Sequence, residues 1–492
     1  MLINLYTSRV VLQCLGVEEY GVYNAVGGFI SMFSMISAAL STAISRYLTY
    51  TIGEGDMSKL KKVFSTSIII QLLLCLLLLL LSETLGVWFL NTKMTIPEGR
   101  YIAANWVFQF SLITFTVNLL SVPYNAVLIA HEKMNAFAYI SIYEGLAALG
   151  IAFLLKCSPI DTLIFYAFLM CCIAMSTRLI YGVYCKRHFE ECTFNWIFEK
   201  YLLKDMLGFA GWNFIGVTSG VLRSQGINLL FNVYIGPLIN AARGLAMQVL
   251  AAVNKFSGGF YTAVQPQITK YYAAKEYDAA NELVCRSSRL AFFLLMLLCL
   301  PLLWETDFLL GLWLEEVPRQ TSVLTRIVLV FTLSEAFSQP MIYLMLATGK
   351  IKKYQIVVGG LCLLNFPVAW ILLHWGYSAT VVQATTIVFS WLSLFVRLYM
   401  LRGMVNFPVS AFLKETLGRS LLVFALASIF PAMLTISNDI SWYRFIFNTI
   451  AMELIAIIAL ITIGLNQSER RWIFSKIRII KDKYATIKKE NH

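Results

Sequence analysis

Long apolar runs alternate with short polar segments along this chain of 492 residues. A helix that crosses a bilayer needs roughly 20 apolar residues in succession. Fourteen such runs can be read, at 2–17, 21–45, 63–90, 101–130, 134–156, 160–184, 206–235, 239–264, 290–311, 322–347, 354–375, 378–401, 416–436 and 442–465. They predict an all-α polytopic membrane protein with about 14 transmembrane helices and short loops. The first run is short and starts at Met1 with no basic flank and no small-residue cleavage site. It does not read as a signal peptide, and a first helix beginning upstream of this start is expected.

Composition agrees with the pattern. Hydrophobic residues are 59% and charged residues 13% of the chain, against about 25% charged in soluble proteins. A soluble enzyme, a disulfide scaffold and a disordered chain are excluded. The net charge of +12 would point to nucleic acid in a soluble protein. Here the basic residues sort by loop instead. With the N-terminus cytoplasmic, 26 Lys and Arg fall on the cytoplasmic side and five (Lys93, Arg100, Lys156, Arg319, Arg444) on the other. That asymmetry marks the basic side as cytoplasmic. It places both termini there, requires an even number of spans and predicts no nucleic-acid partner.

The ten cysteines mostly sit in apolar runs, where Cys acts as a small hydrophobe. Cys185, His188 and Cys192 share one loop, but their spacing fits no zinc pattern, so neither metal nor cofactor is expected. In the tail, Ile473, Ile477, Ile480, Tyr484 and Ile487 alternate with Lys476, Arg478, Lys481 and Lys483. This reads as a basic amphipathic helix on anionic membrane lipid. Phe194, Ile197, Phe198 and Tyr201 repeat the pattern before span seven.

A shift of 220 residues lays the first two spans on spans seven and eight. Gly16 then meets Gly236, Thr42 meets Thr262, Ala43 meets Ala263, Thr49 meets Thr269 and Ser67 meets Ser287. Because six spans separate the copies, both run the same way through the membrane. Two six-helix bundles related as a parallel repeat, plus two C-terminal helices, are expected, with a site between the bundles as in transporters. The corresponding divisions are an N-terminal lobe at 1–185, a cytoplasmic linker at 186–205, a C-terminal lobe at 206–401, two further spans at 402–465 and a basic tail at 466–492.

The stretch Ser8-Arg9-Val10-Val11-Leu12, continuing to Leu15-Gly16-Val17-Glu18-Glu19-Tyr20-Gly21-Val22-Tyr23-Asn24, resembles the first hairpin of Wzx-type polysaccharide flippases. These belong to the multidrug/oligosaccharidyl-lipid/polysaccharide exporter superfamily. The span number, the repeat and the basic tail fit that family along the whole chain. The resemblance implies alternating access of two lobes. It also implies that an undecaprenyl-diphosphate-linked oligosaccharide moves to the periplasmic leaflet of a bacterial inner membrane, beside other polysaccharide-assembly membrane proteins. The superfamily also holds drug exporters, so cation-coupled multidrug efflux stays open as the alternative. No enzyme is expected: the chain has four His, and its longest periplasmic loop, roughly 91–100, carries no paired carboxylates.

An anionic, sugar-bearing cargo calls for cations inside spans, where charges are costly and mostly functional. Arg9, Arg223, Arg243 and Lys255 are the candidates, Arg being suited to phosphate by its two-pronged fork. Asn228, Gln248, Asn254 and Asn213 could hydrogen-bond sugars, and Trp212 and Tyr261 could stack on them. For coupling to H+ or Na+, Glu335 and Glu144 stand in apolar surroundings, as does Glu453. Glu335 ranks first because Pro340, five residues on, frees a carbonyl in mid-helix. Pro123 and Pro266 are expected to kink their helices.

Overall fold

In the computed structural model the described residues are 7, 10–11, 14–16, 19, 22–23, 26–27, 30, 33–92, 96, 99–155, 158–193, 199–235, 237–314, 317–434, 442–466 and 469–471. They are helical almost throughout. The helices are α1 Ser34–Glu54, α2 Met57–Thr92, α3 Tyr101–Ala130, α4 Met134–Leu154, α5 Thr162–His188, α6 Lys200–Val221, α7 Ile227–Tyr234, α8 Pro237–Ala273, α9 Tyr277–Trp304, α10 Thr306–Trp313, α11 Thr321–Ala347, α12 Ile351–His374, α13 Ala379–Val405, α14 Arg419–Leu434 and α15 Trp442–Ala459. Among the described residues, nine helices are long and apolar enough to cross a membrane. Arg9, the tail beyond 471 and the 194–198 segment lie outside the described residues.

The chain divides into two compact units. Unit 1 is Met1–Ser219, Gln265–Glu276 and Leu346–Ile356; unit 2 is Gly220–Val264, Tyr277–Met345 and Val357–His492. Helix ends in unit 1 are set by local chemistry. Gly55 takes φ +76° and closes α1, and the next residue, Asp56, caps α2 by accepting from the Lys59 amide at 2.9 Å. A left-handed glycine at a helix end and an acidic N-cap are the ordinary stop and start signals. Asp161 caps α5 through the Leu163 and Ile164 amides and also takes Arg100 at 2.5 Å. Arg100 pairs with Glu19 as well, tying Glu19 to the starts of α3 and α5. The core beneath comprises Val11, Val26, Leu90, Phe108, Leu112 and Leu163. Leu73, Leu76 and Leu80 of α2 point outward, which suits a face turned to hydrocarbon.

The repeat is visible in the helix limits. Met57 and Tyr277 begin helices 220 residues apart, as do Tyr101 and Thr321. From there the offset is 217: α4 and α12 begin at Met134 and Ile351, and α5 and α13 run from Thr162 to His188 and from Ala379 to Val405. Gly55 and Lys275, again 220 apart, are both left-handed, at φ +76° and +63°.

The structure lengthens several sequence-read spans. The run at 239–264 lies within a helix from Pro237 to Ala273, whereas that at 290–311 is split between α9, which starts at Tyr277 and stops at Trp304, and the short α10. Helices run on past the apolar stretch where polar residues find partners. Arg289 of α9, 4% exposed, meets Glu469 at 2.6 Å.

Candidate functional site

Unit 2 contains a polar cavity of about 290 Å³. Four elements build it, one of them, α9, through Leu295 alone. In α8, Leu250, Asn254, Ser257 and Tyr261 line it, a spacing of three to four residues that keeps them on one helical face. In α11, Phe331, Glu335 and Gln339 recur every fourth residue, with Thr332 and Ala336 beside them. Arg223 comes from a π-turn, Leu222–Gly226, that follows α6. A π-turn inserts one extra residue and re-aims the side chains around it, often at functional sites. At Gly226 a Cβ would stand 2.6 Å from Cδ2 of Phe366, so the bare glycine is what lets that ring close on the turn.

Two charges of opposite sign therefore share the cavity. The Arg223 guanidinium lies 4.9 Å from the centre of the Phe331 ring, a cation–π arrangement. Among the described residues no carboxylate comes within 4 Å of it. Glu335 is half-buried, and Ser390 of α13 donates its hydroxyl to Oε1 at 2.5 Å. Ser334 Oγ stands 2.8 Å from Ser390 Oγ. One turn further along α11, Arg397 of α13 donates to Ser338 Oγ at 2.9 Å. Pro340 has no amide to offer the carbonyl of Ala336, so a backbone acceptor is left over beside the cavity wall. Tyr261 packs edge-on against Tyr343, ring centres 6.4 Å apart.

The other sequence candidates lie elsewhere. Arg243 and Asn228 are brought together, but in the interior of unit 2. Arg243 is 2% exposed, donates Nη1 to Asn228 Oδ1 at 2.6 Å and Nε to Gln383 Oε1 at 3.1 Å, and rests 5.9 Å from the Phe231 ring. Lys255 and Gln248 are exposed on α8, off the face that lines the cavity. Glu144 is exposed on α4 of unit 1. Asn213, in unit 1, is buried, donating to the Ala39 carbonyl and accepting from Gln355, both at 3.3 Å. Ser390 and Phe331 escaped the sequence reading. A serine or phenylalanine in an apolar run is unremarkable until the facing helix is known. Gln339 sits within the Ser334–Pro340 run and could have been taken with Glu335 by its four-residue spacing.

A family profile described as MatE matches residues 1–155 and 221–371. A search of curated protein sequences finds no match. Solved structures share the fold at low identity. One is an outward-facing multidrug resistance MATE family transporter of the MOP superfamily, with TM-score 0.70, 14% identity, and 84% of this chain and 92% of that one covered. Another is the Vibrio cholerae MATE transporter VcmN in its bent form, with TM-score 0.66, 16% identity, and 84% and 100% covered. A third is a MOP superfamily transporter from Pyrococcus furiosus, described as having a binding pocket of reverse polarity that suggests a different function. It has TM-score 0.66, 14% identity, and 84% and 94% covered.

Proposed function

This chain belongs to the MatE family of multi-pass membrane transporters, and from that premise we propose that it exports amphiphilic organic molecules in exchange for a cation taken up at Glu335. The observation that carries this reading is the half-buried Glu335 carboxylate, held by Ser390 in a polar cavity. A carboxylate inside a membrane protein is expensive and is kept where it exchanges a proton or a metal cation. In an exchanger, cation uptake changes the charge of the cavity and so its preference for cargo. Coupling follows when each lobe arrangement favours one loaded form. The drug-exporting MATE structures that share this fold support the same assignment. The test is uptake of a fluorescent organic cation into proteoliposomes under an imposed proton or sodium gradient. Gradient-dependent uptake that Glu335→Gln abolishes is expected. Uptake indifferent to both gradients and to the substitution would remove the exchange mechanism.

A second reading rests on Arg223. A guanidinium without a carboxylate within 4 Å suits an anionic cargo, and the first hairpin resembles that of polysaccharide flippases. On this reading the cargo is a diphosphate-linked oligosaccharide in a bacterial inner membrane, handed on to other polysaccharide-assembly membrane proteins. Lipid extraction from cells lacking the protein separates the two. Accumulated polyprenyl-diphosphate-linked oligosaccharide, cleared on complementation, assigns flipping. Dye sensitivity without accumulation assigns efflux.

A further inference from the structure

A second pocket, of about 440 Å³, lies at the end of unit 1 that carries the basic loops. Lys204 enters it from the first turns of α6, and Lys350 and Lys352 from the junction of α11 and α12. Among the described residues none of the three has a carboxylate within 4 Å. The lining carboxylate, Asp205, already accepts from the Tyr47 hydroxyl at 2.5 Å. A fourth cation backs the wall. Arg46 is stacked 4.6, 4.8 and 5.4 Å from the rings of Tyr47, Tyr50 and Phe209, and its Nη2 donates to the Ala347 carbonyl at 3.0 Å. Four cations around one engaged carboxylate repel one another, most strongly where water is thin. An anion would relieve that repulsion.

The same helices carry an apolar groove of about 450 Å³, lined by Ile36 and Leu40 of α1, Leu73 and Leu77 of α2, and Leu207 and Phe214 of α6. Leu40 precedes Tyr47 by two turns of α1, about 10 Å along its axis at 1.5 Å per residue. Leu73 and Leu77 are about half exposed, so the groove opens sideways. A cationic pocket above a hydrocarbon groove is the complement of one molecule with a charged head and an aliphatic chain. We infer that unit 1 holds an anionic glycerophospholipid, its phosphate among Lys204, Lys350 and Lys352 and an acyl chain along the α1–α2–α6 groove. Tyr201, 84% exposed, and Trp212, with Lys352 Nζ 5.2 Å from its ring, flank the headgroup. This lipid is distinct from the cargo of the unit 2 cavity and is held whichever cargo that cavity takes.

Native mass spectrometry of the full, delipidated protein tests this. The ligands added back are phosphatidylglycerol, phosphatidylcholine of the same chains, polyprenyl phosphate and inorganic phosphate. Phosphatidylglycerol should be retained over phosphatidylcholine. Replacing the three exposed lysines by glutamine should weaken its retention about five-fold per lysine, and Leu77→Trp, which fills the groove from an exposed position, should weaken it independently. Equal retention of the two phospholipids, or no effect of the lysine substitutions, overturns the site. Inorganic phosphate displacing phosphatidylglycerol, with Leu77→Trp silent, makes it a soluble-phosphate site and overturns the lipid. Preferential retention of polyprenyl phosphate overturns the glycerolipid assignment.

Discussion

Ser390 and Glu335 are joined across two helices by a 2.5 Å hydrogen bond in which the serine is the donor. The bond fixes the carboxylate against the cavity wall. Glu335→Gln should therefore abolish gradient-driven transport while leaving cargo binding measurable. Ser390→Ala keeps the carboxylate and should slow transport by about ten-fold, the scale of one hydrogen bond to a charged group. Dye-uptake rates in proteoliposomes, with binding measured separately by equilibrium dialysis, check both.

Arg223 separates the two cargo classes. Arg223→Ala leaves Glu335 as the charged residue among those lining the cavity. It should improve uptake of organic cations and remove transport of a diphosphate-bearing cargo. Arg223→Lys keeps the charge but loses the flat stacking on Phe331 and the two-pronged grip, and should recover anion transport only in part. Parallel assays with a cationic dye and a lipid diphosphate decide the sign.

Arg243 predicts a loss of stability. Its guanidinium is 2% exposed and bonded to Asn228 and Gln383. Arg243→Ala leaves both amides short of a partner and opens a cavity, costing about 3 kcal/mol. Thermal unfolding of the detergent-solubilised protein should show the drop, and Arg243→Lys should not restore it.

Acid should loosen the loop after α5. Glu191 is 1% exposed, which by itself would raise its carboxyl. His131, 2.5 Å away and stacked on Phe189, and the positive charge of Lys61 outweigh burial and hold it below the usual carboxylate range. A lowered carboxyl contributes stability above its unfolded value, near 4.3, and loses it as pH falls through the folded value. Melting temperature measured downward from pH 7 should fall below about pH 4.3, and Glu191→Gln should flatten that limb.

Two glycines provide a packing control. At Gly53 of α1 a Cβ would stand 2.8 Å from Cβ of Ala273 and 2.9 Å from the Lys270 backbone. Gly53→Ala must push two helix ends apart and should cost about 1–3 kcal/mol. At Gly145 of α4 a Cβ would meet nothing within 4 Å, and Gly145→Ala should be neutral or add a few tenths of a kcal/mol. Paired melting curves check the contrast.

The helical plan was legible because apolar runs report the hydrocarbon directly. Helix ends were less so. The run read at 206–235 belongs to a helix that starts at Lys200 and passes through a π-turn at Leu222–Gly226. Hydropathy averages over that turn, which leaves no compositional mark. Glu335 and Arg223 were each legible as charges within apolar runs. Their meeting in one cavity was not, because it depends on how α8 and α11 are rotated. The same dependence hid Ser390, and put Lys255 and Gln248 on the outer side of α8, although α8 supplies four lining residues of its own.

Gly349 is held by two unrelated constraints. Its φ is +72°, and a Cβ there would stand 2.6 Å from Nη2 of Arg46, whose position is set by the Ala347 carbonyl and three aromatic rings. Relief of one constraint leaves the other in force: trimming Arg46 clears the space but not the backbone angle, and Asn suits the angle but not the space. For a lineage drifting by single replacements this codon is a closed door. The loop between α11 and α12 can change its length or its lysines more readily than that one residue.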